Sequence, residues 1–252
     1  VEQLEGKICI EAALKARARK ISLIIIRSGL HAEQIQPILD EAEQQHIAIK
    51  YTSRTELDAM AHGKTHGGVI ALATPKPPVS WEAILEQIKN QSRPPALLLL
   101  EGVDDSQNFG FTLRSAEAMG IDAVLLKKHL WDFDGAAVSR ASSGAFERMP
   151  IALIDQVNKA LPRFKNHGLK LFGCIANAKR TIYEVDLTAP VILAIGGEKR
   201  GLSAAVRDHC DVFIKIPMAT AIGSLSLSHS ASIAVAEMMR QRIFRARSDF
   251  PQ

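Results

Sequence analysis

The residue types best suited to chemistry fall in three glycine-bearing loops, each directly after an apolar run. In the first, Asn108, Gly110 and Arg114 follow Leu97-Leu98-Leu99-Leu100. Gly110 and Arg114 are four positions apart, so on a helix a residue without a side chain leaves room beside a guanidinium, near amides that favour an anion. Asn108 stands where a helix N-cap belongs. A phosphate could be held here; an ordinary ion pair between Arg114 and Glu117 accounts for the same residues equally well. The second loop, Gly196-Gly197-Glu198-Lys199-Arg200-Gly201, turns on glycines that let a ligand approach the backbone, although a plain strand-to-helix turn has the same composition. The third runs from Ile216-Pro217-Met218 to Ser224-Leu225-Ser226-Leu227-Ser228, small and polar residues leading into a helix, as a serine-rich cap also would.

These loops need a frame that brings them together. Residues 96–100, 123–126, 169–175, 190–195 and 212–216 read as strands, alternating with helical patterns at 111–119, 156–165 and 228–244. That alternation specifies an α/β fold with a mostly parallel sheet covered by helices. Such a sheet binds ligands at the carboxyl ends of its strands, where all three loops lie. Upstream, residues 21–26, 47–51 and 69–73 read as strands and 31–45 as a helix, while Ser53-Arg54-Thr55-Glu56 is a capping box that starts another. Pro75-Lys76-Pro77-Pro78 and Ser92-Arg93-Pro94-Pro95 bracket a helix over 81–89. The expected division is a domain over 1–75, a proline-rich linker with a short helix over 76–95, and a second domain over 96–252.

Composition removes several classes. With 47% hydrophobic and 23% charged residues in 252, the chain is neither disordered nor fibrous, and no apolar run approaches the ~18 residues of a membrane span. Cys9, Cys174 and Cys210 are far apart, in no CxxC or zinc spacing, and read as core thiols of a cytoplasmic protein. No GxGxxG follows a strand, which argues against a dinucleotide cofactor. Gly63-Lys64-Thr65 lacks the first glycine of a phosphate-binding loop, and His62 and His66 lack a third ligand, so neither an ATPase nor a metal site is expected. Ser142 and Ser143 stand outside any GxSxG and read as turn and cap residues. The net charge of +4 and pI near 9.0 permit an anionic partner. Cations concentrate at residues 15–20 and 240–247, each of which is alone compatible with a solvated helix face.

Together and in order, the three loops resemble the three motifs of the SpoU branch of the SPOUT RNA methyltransferases, over about residues 97–242. Residues 1–75 are similar, more loosely, to the L30e-like substrate-binding domain of the ribosomal-RNA members. The resemblance implies a homodimeric 2'-O-ribose methyltransferase that uses S-adenosylmethionine, requires no metal, and carries a trefoil knot at its carboxyl end. It implies that Gly196, Ile216 and Leu225 line the cofactor through their backbone, with Gly197 and Met218 nearby. Arg114 would lie at the ribose and phosphate of the target, Asn108 and Glu198 would hold the surrounding loops, and Ser224 would be a polar contact. A guanidinium is a poor general base near neutral pH, so Arg114 is read as a phosphate clamp and alkoxide stabiliser, leaving the base unassigned. The sequence departs from the family's Ser-Leu-Asn at Ser226, where one hydroxyl replaces an amide; Ser228 is a neighbour able to compensate. That departure leaves open an RNA-binding protein that has lost transfer activity. The added amino-terminal domain favours ribosomal over transfer RNA as substrate, and residues 15–20, with Arg17 and Arg19, are the candidate RNA surface.

Overall fold

The computed structural model describes residues 1–63, 66–103, 105–127, 130–197, 199–220 and 224–248, the side chains of 246–248 excepted. The chain packs as two units. The first begins with β1 (Glu2–Glu5), α1 (Lys7–Ala16), β2 (Ile21–Arg27), α2 (Gln36–Gln44), β3 (Ala48–Thr52), α3 (Arg54–Met60) and β4 (Val69–Ala73). Its sheet has the order β1-β4-β2-β3, with β4 antiparallel to both neighbours and β2 parallel to β3. The β-branched run of β2 supplies Ile24 and Ile26 to a core closed by Ile10, Leu14 and Ile38 from α1 and α2. The capping box forms as the sequence specifies: Ser53 Oγ accepts from Glu56 N, and the Glu56 carboxylate accepts from Ser53 N.

The second unit opens with β5 (Val79–Ser80), α4 (Trp81–Lys89), β6 (Ala96–Leu100), α5 (Ser106–Ala118) and β7 (Ala123–Lys127). The stretch read as a linker is thus largely built into this unit. Val79 and Ser80 pair with a sheet strand, and α4 buries Ile84, Leu85 and Ile88 in the core beside Leu97 and Phe164. The chain then leaves the unit for α6 (Gly135–Ala141) and α7 (Ala145–Arg148), which pack with the first unit. This corrects the assignment of 134–148 to the second domain. The segment is fixed by contacts that no apolar stripe announces. Arg19, its side chain fully buried, donates to both carboxylate oxygens of Glu147 at 2.9 Å. Arg140 donates to Glu5 at 3.0 Å, and the Cys9 thiol donates to the Ser139 carbonyl at 3.3 Å.

The second unit resumes with β8 (Ile151–Ile154), α8 (Val157–Asn166), β9 (Lys170–Cys174), β10 (Arg180–Thr181), β11 (Val191–Ile195), α9 (Ala204–Arg207), β12 (Val212–Lys215) and α10 (Leu227–Ser248). Its eight strands run in the order β10-β12-β9-β11-β6-β7-β8-β5, and every pairing is parallel. β6 and β11 are fully buried, as strands covered on both faces must be. From β6 the chain winds one way to β7 and β8; from β11 it winds the other way to β12. The neighbours β6 and β11 therefore form the switch point of the sheet, where their carboxyl ends open a crevice for ligand.

Candidate active site

The loops after β6 and β11 meet at that switch point. A Cβ on Gly197 would lie 2.7 Å from Gly102 Cα, a distance no side chain tolerates, so only glycine lets the two backbones touch. Gly196 is equally constrained: its Cβ would fall 2.1 Å from the carbonyl carbon of Gly201, because the loop folds back on itself through the Gly201 N to Gly197 O hydrogen bond of 2.8 Å. Glu101 then ties the two loops together. Its buried carboxylate accepts from Ser203 N at 2.6 Å and Ser203 Oγ at 2.8 Å, and pairs with Lys127 at the end of β7. Sequence reasoning passed over Glu101, yet a carboxylate directly after five buried residues of β6 needs partners, and that is a legible signal.

Beside this junction lies a cavity of about 320 Å³. Gly196 and Gly197 from the second loop and Ile216, Met218, Ser224 and Leu225 from the third all line it. Ile175, Ile195 and Leu202 extend its apolar wall, Ser230 adds a hydroxyl, and Arg200 and Arg207 add cations. Its size is at the lower end of the ~300–1,000 Å³ typical of small-molecule sites. An apolar wall with exposed backbone, two hydroxyls and two guanidinium groups suits a nucleoside carrying a zwitterionic tail, and S-adenosylmethionine fits that description. Cys174 also lines the cavity, so it is not a simple core thiol; burial pushes its pKa up to about 11 and keeps it protonated and neutral.

The remaining predicted residues lie elsewhere. Asn108 is the third residue of α5 and not its cap; Asp105 caps the helix, accepting from Asn108 N at 2.7 Å. The Asn108 side chain is free for another task, and its Oδ1 accepts from Ser228 Oγ at 3.0 Å. Ser228 in turn lies 3.1 Å from Ser226 Oγ, so two hydroxyls bridge from Ser226 to the Asn108 amide. Ser226 does not line the cavity itself. Arg114 is exposed on α5, outside the cavity, and its guanidinium has no hydrogen-bond or ion-pair partner among the described residues, so the pairing with Glu117 is not made. Glu198 lies outside the described residues. Among the described residues no group of three or more His, Cys, Asp or Glu could hold a metal ion.

The basic runs are largely consumed by the fold. Lys15 pairs with Glu11 at 2.6 Å and Arg17 with Glu41 at 3.4 Å, while Arg19 is buried among carboxylates. Arg19 is therefore withdrawn from the candidate RNA surface. At the other run, Arg240 binds Glu237, and Arg242 donates to the carbonyls of Pro94, Pro95, Leu187 and Ala189.

The sequence matches the SpoU rRNA Methylase family over residues 95–236, and over residues 3–79 it matches a family described as RNA 2'-O ribose methyltransferase substrate binding. It is 32% identical over 243 residues, 96% of each chain, to the 23S rRNA (guanosine-2'-O-)-methyltransferase RlmB of Pseudomonas syringae pv. tomato. The crystal structure of an RNA 2'-O ribose methyltransferase is similar at TM-score 0.74 and 28% identity, covering 96% of this chain and 88% of that one. The SpoU methyltransferase AviRb from Streptomyces viridochromogenes shares the fold at TM-score 0.79 and 22% identity, with 97% and 90% covered.

Proposed function

The chain belongs to the SpoU rRNA methylase family and is an S-adenosylmethionine-dependent RNA 2'-O-ribose methyltransferase, and from that premise we propose large-subunit ribosomal RNA as its substrate. The observation that carries the mechanism is the gathering of residues from the second and third loops around one cavity, with Asn108 of the first loop hydrogen-bonded to Ser228 of the third. Gly196, Gly197, Ile216, Met218 and Leu225 hold the cofactor, with Ser224 as a polar contact. Bound there, it supplies an electrophilic methyl group carried on a sulfonium. Transfer to a weakly acidic hydroxyl is an in-line displacement, so positioning supplies much of the acceleration. Arg114, whose guanidinium has no partner among the described residues, clamps the phosphate of the target nucleotide and stabilises charge developing on the ribose oxygen. Asn108 holds the third loop through Ser228, and Glu198 is assigned the matching role in the second. The Ser226-Ser228-Asn108 bridge gives the departure at Ser226 a replacement contact, which favours an active enzyme over an inactive RNA-binding protein.

The enzyme works as a homodimer in this reading. Arg114 does not line its own chain's cavity, and Phe111, three residues earlier on α5, exposes 48% of its surface. A second copy covering this face removes apolar surface from water and lets Arg114 serve a cavity other than its own. The amino-terminal unit selects the RNA, the carboxyl-terminal segment is knotted, no metal takes part, and the place of action is the cytoplasm. No helix among the described residues is long and apolar enough to cross a membrane.

The test is incubation with methyl-labelled S-adenosylmethionine and unmodified large-subunit ribosomal RNA or transfer RNA, followed by mapping of 2'-O-methyl groups. Label in large-subunit RNA is expected. Label confined to transfer RNA overturns the substrate, and absence of label in both overturns the transfer itself.

A further inference from the structure

The proton of the ribose hydroxyl needs an acceptor, and hydrogen counting around the third loop supplies one. Ser228 Oγ gives its single hydrogen to Asn108 Oδ1, an atom that can only accept. The 3.1 Å contact between Ser226 Oγ and Ser228 Oγ must then be filled by the Ser226 hydrogen, since otherwise two lone pairs would face each other. Ser226 has no second hydrogen to give. Its 2.6 Å contact with His229 Nδ1 is consequently filled from the ring, and Nδ1 carries the hydrogen. Ser226 Oγ also accepts from His229 N at 3.3 Å, which uses its other lone pair and caps α10. Every group in the chain from His229 through Ser226 and Ser228 to Asn108 is satisfied in one direction only. A neutral imidazole has one ring hydrogen, so the tautomer assigned by this network leaves Nε2 with a free lone pair. The ring is exposed and does not itself line the cofactor cavity, but Ser224, Leu225 and Ser230 close to it in the chain do, so Nε2 is open to a hydroxyl presented from outside the cavity.

We propose that His229 is the proton acceptor of the methyl transfer, oriented by the Ser226-Ser228-Asn108 chain. The inference rests on the reading of the cavity as the methyl-transfer site. As the bond between the ribose oxygen and the methyl carbon forms, the methyl–sulfur bond breaks and sulfur keeps the electron pair. The hydroxyl proton passes to Nε2, and the positive charge lost at sulfur reappears on the imidazolium, which later releases its proton to water. Imidazole is suited to this because it exchanges a proton near neutral pH, where Arg114 cannot. The arrangement follows the general logic in which one ring nitrogen is held by an acceptor so that the other is presented as a base. Ser226 thereby acquires a role that an amide at the same position would fill differently: it passes the orientation of Asn108 on to a base.

His229→Asn keeps a donor toward Ser226 and removes the base. We expect kcat to fall by about 10²–10⁴-fold with KM for RNA and the cofactor dissociation constant little changed. Added imidazole restores part of the rate in His229→Gly, and the acid limb of the wild-type pH–rate profile is absent from His229→Asn. Independently of activity, ¹⁵N NMR of the wild-type protein without RNA or cofactor shows Nδ1 protonated and Nε2 bare, a preference that Ser226→Ala abolishes. If His229→Asn fails to fold by circular dichroism, imidazole rescue and the tautomer decide. An unchanged kcat in folded His229→Asn, or an Nε2–H tautomer, overturns the proposal. Wild-type protein that methylates no RNA overturns the reading beneath it, whereas transfer that ignores His229 overturns only the acceptor.

Discussion

In the first unit the Arg19 guanidinium is wholly buried and donates to Glu147, Glu2 and the Thr74 carbonyl; in the second, the Arg114 guanidinium is exposed and has no partner among the described residues. The sequence sets Arg19 in a dense basic run and Arg114 alone, so charge density points to the wrong arginine. Partnering is the better guide. A buried cation must be matched by acceptors, because leaving it or its partner unpaired in the interior costs several kcal/mol. An exposed cation carries no such obligation and remains available to a phosphate. The same contrast holds for the terminal helix, where Arg240 and Arg242 serve a carboxylate and a row of carbonyls.

Arg19→Ala gives the largest expected effect, since it removes the bidentate partner of the fully buried Glu147 carboxylate. The loss is about 3–5 kcal/mol of stability in the first unit, read by urea unfolding and by proteolysis between residues 1 and 77. A loss indistinguishable from that of a surface substitution would remove the distinction between the two arginines. Arg114→Ala is expected to do the reverse, with stability within about 0.5 kcal/mol of wild type and the rate of methyl transfer lowered about 10²–10³-fold. Unfolding and single-turnover measurements on the same preparation separate the two quantities. Retention of the wild-type rate would show that Arg114 is free without being used.

Strands of both sheets were legible because they are short, apolar and bounded by glycine or proline: residues 96–100 in the second unit and Val69–Ala73 in the first match observed strands end for end. Ser53 and Glu56 likewise announced α3, a purely local device. What sequence reading missed depends on partners far along the chain. α6 buries Gly135, Val138 and Ser139, which leave no periodic apolar stripe, and Arg19 looked like surface until Glu147 arrived from 128 positions away. Within the site, the cavity-lining residues were legible as glycines and apolar residues after strands. The Asn108 contact was not, because Asp105 takes the cap and releases the Asn108 side chain toward Ser228. Glu101 escaped notice for the same reason, its partner Ser203 arriving from 102 positions away, whereas the contact of His229 with Ser226 is local and gains its meaning only from the chain that Ser228 and Asn108 complete.

Glu56 sharpens the comparison with the smallest effect, because it is exposed like Arg114 yet partnered like Arg19. Its carboxylate accepts from the Thr52 hydroxyl, from Ser53 N at 3.0 Å and from Ser53 Oγ at 3.0 Å, and these hydrogen bonds hold its pKa down to about 2 from an ordinary 4.5. A carboxyl whose pKa is depressed by folding binds fewer protons in the native state than in the unfolded one. Its contribution is therefore fully present above pH 4.5 and is lost as pH falls from there through about 2. Hydrogen exchange at the first turn of α3 should accelerate across that window in the wild type, while Glu56→Gln, which cannot titrate, should show no such step. The change is small because solvent screens an exposed group. A Glu56 that titrates near 4.5 by NMR would mean that its hydrogen bonds do not favour the charged form. Exposure alone would then explain both Glu56 and Arg114, and partnering would lose its value as the discriminator.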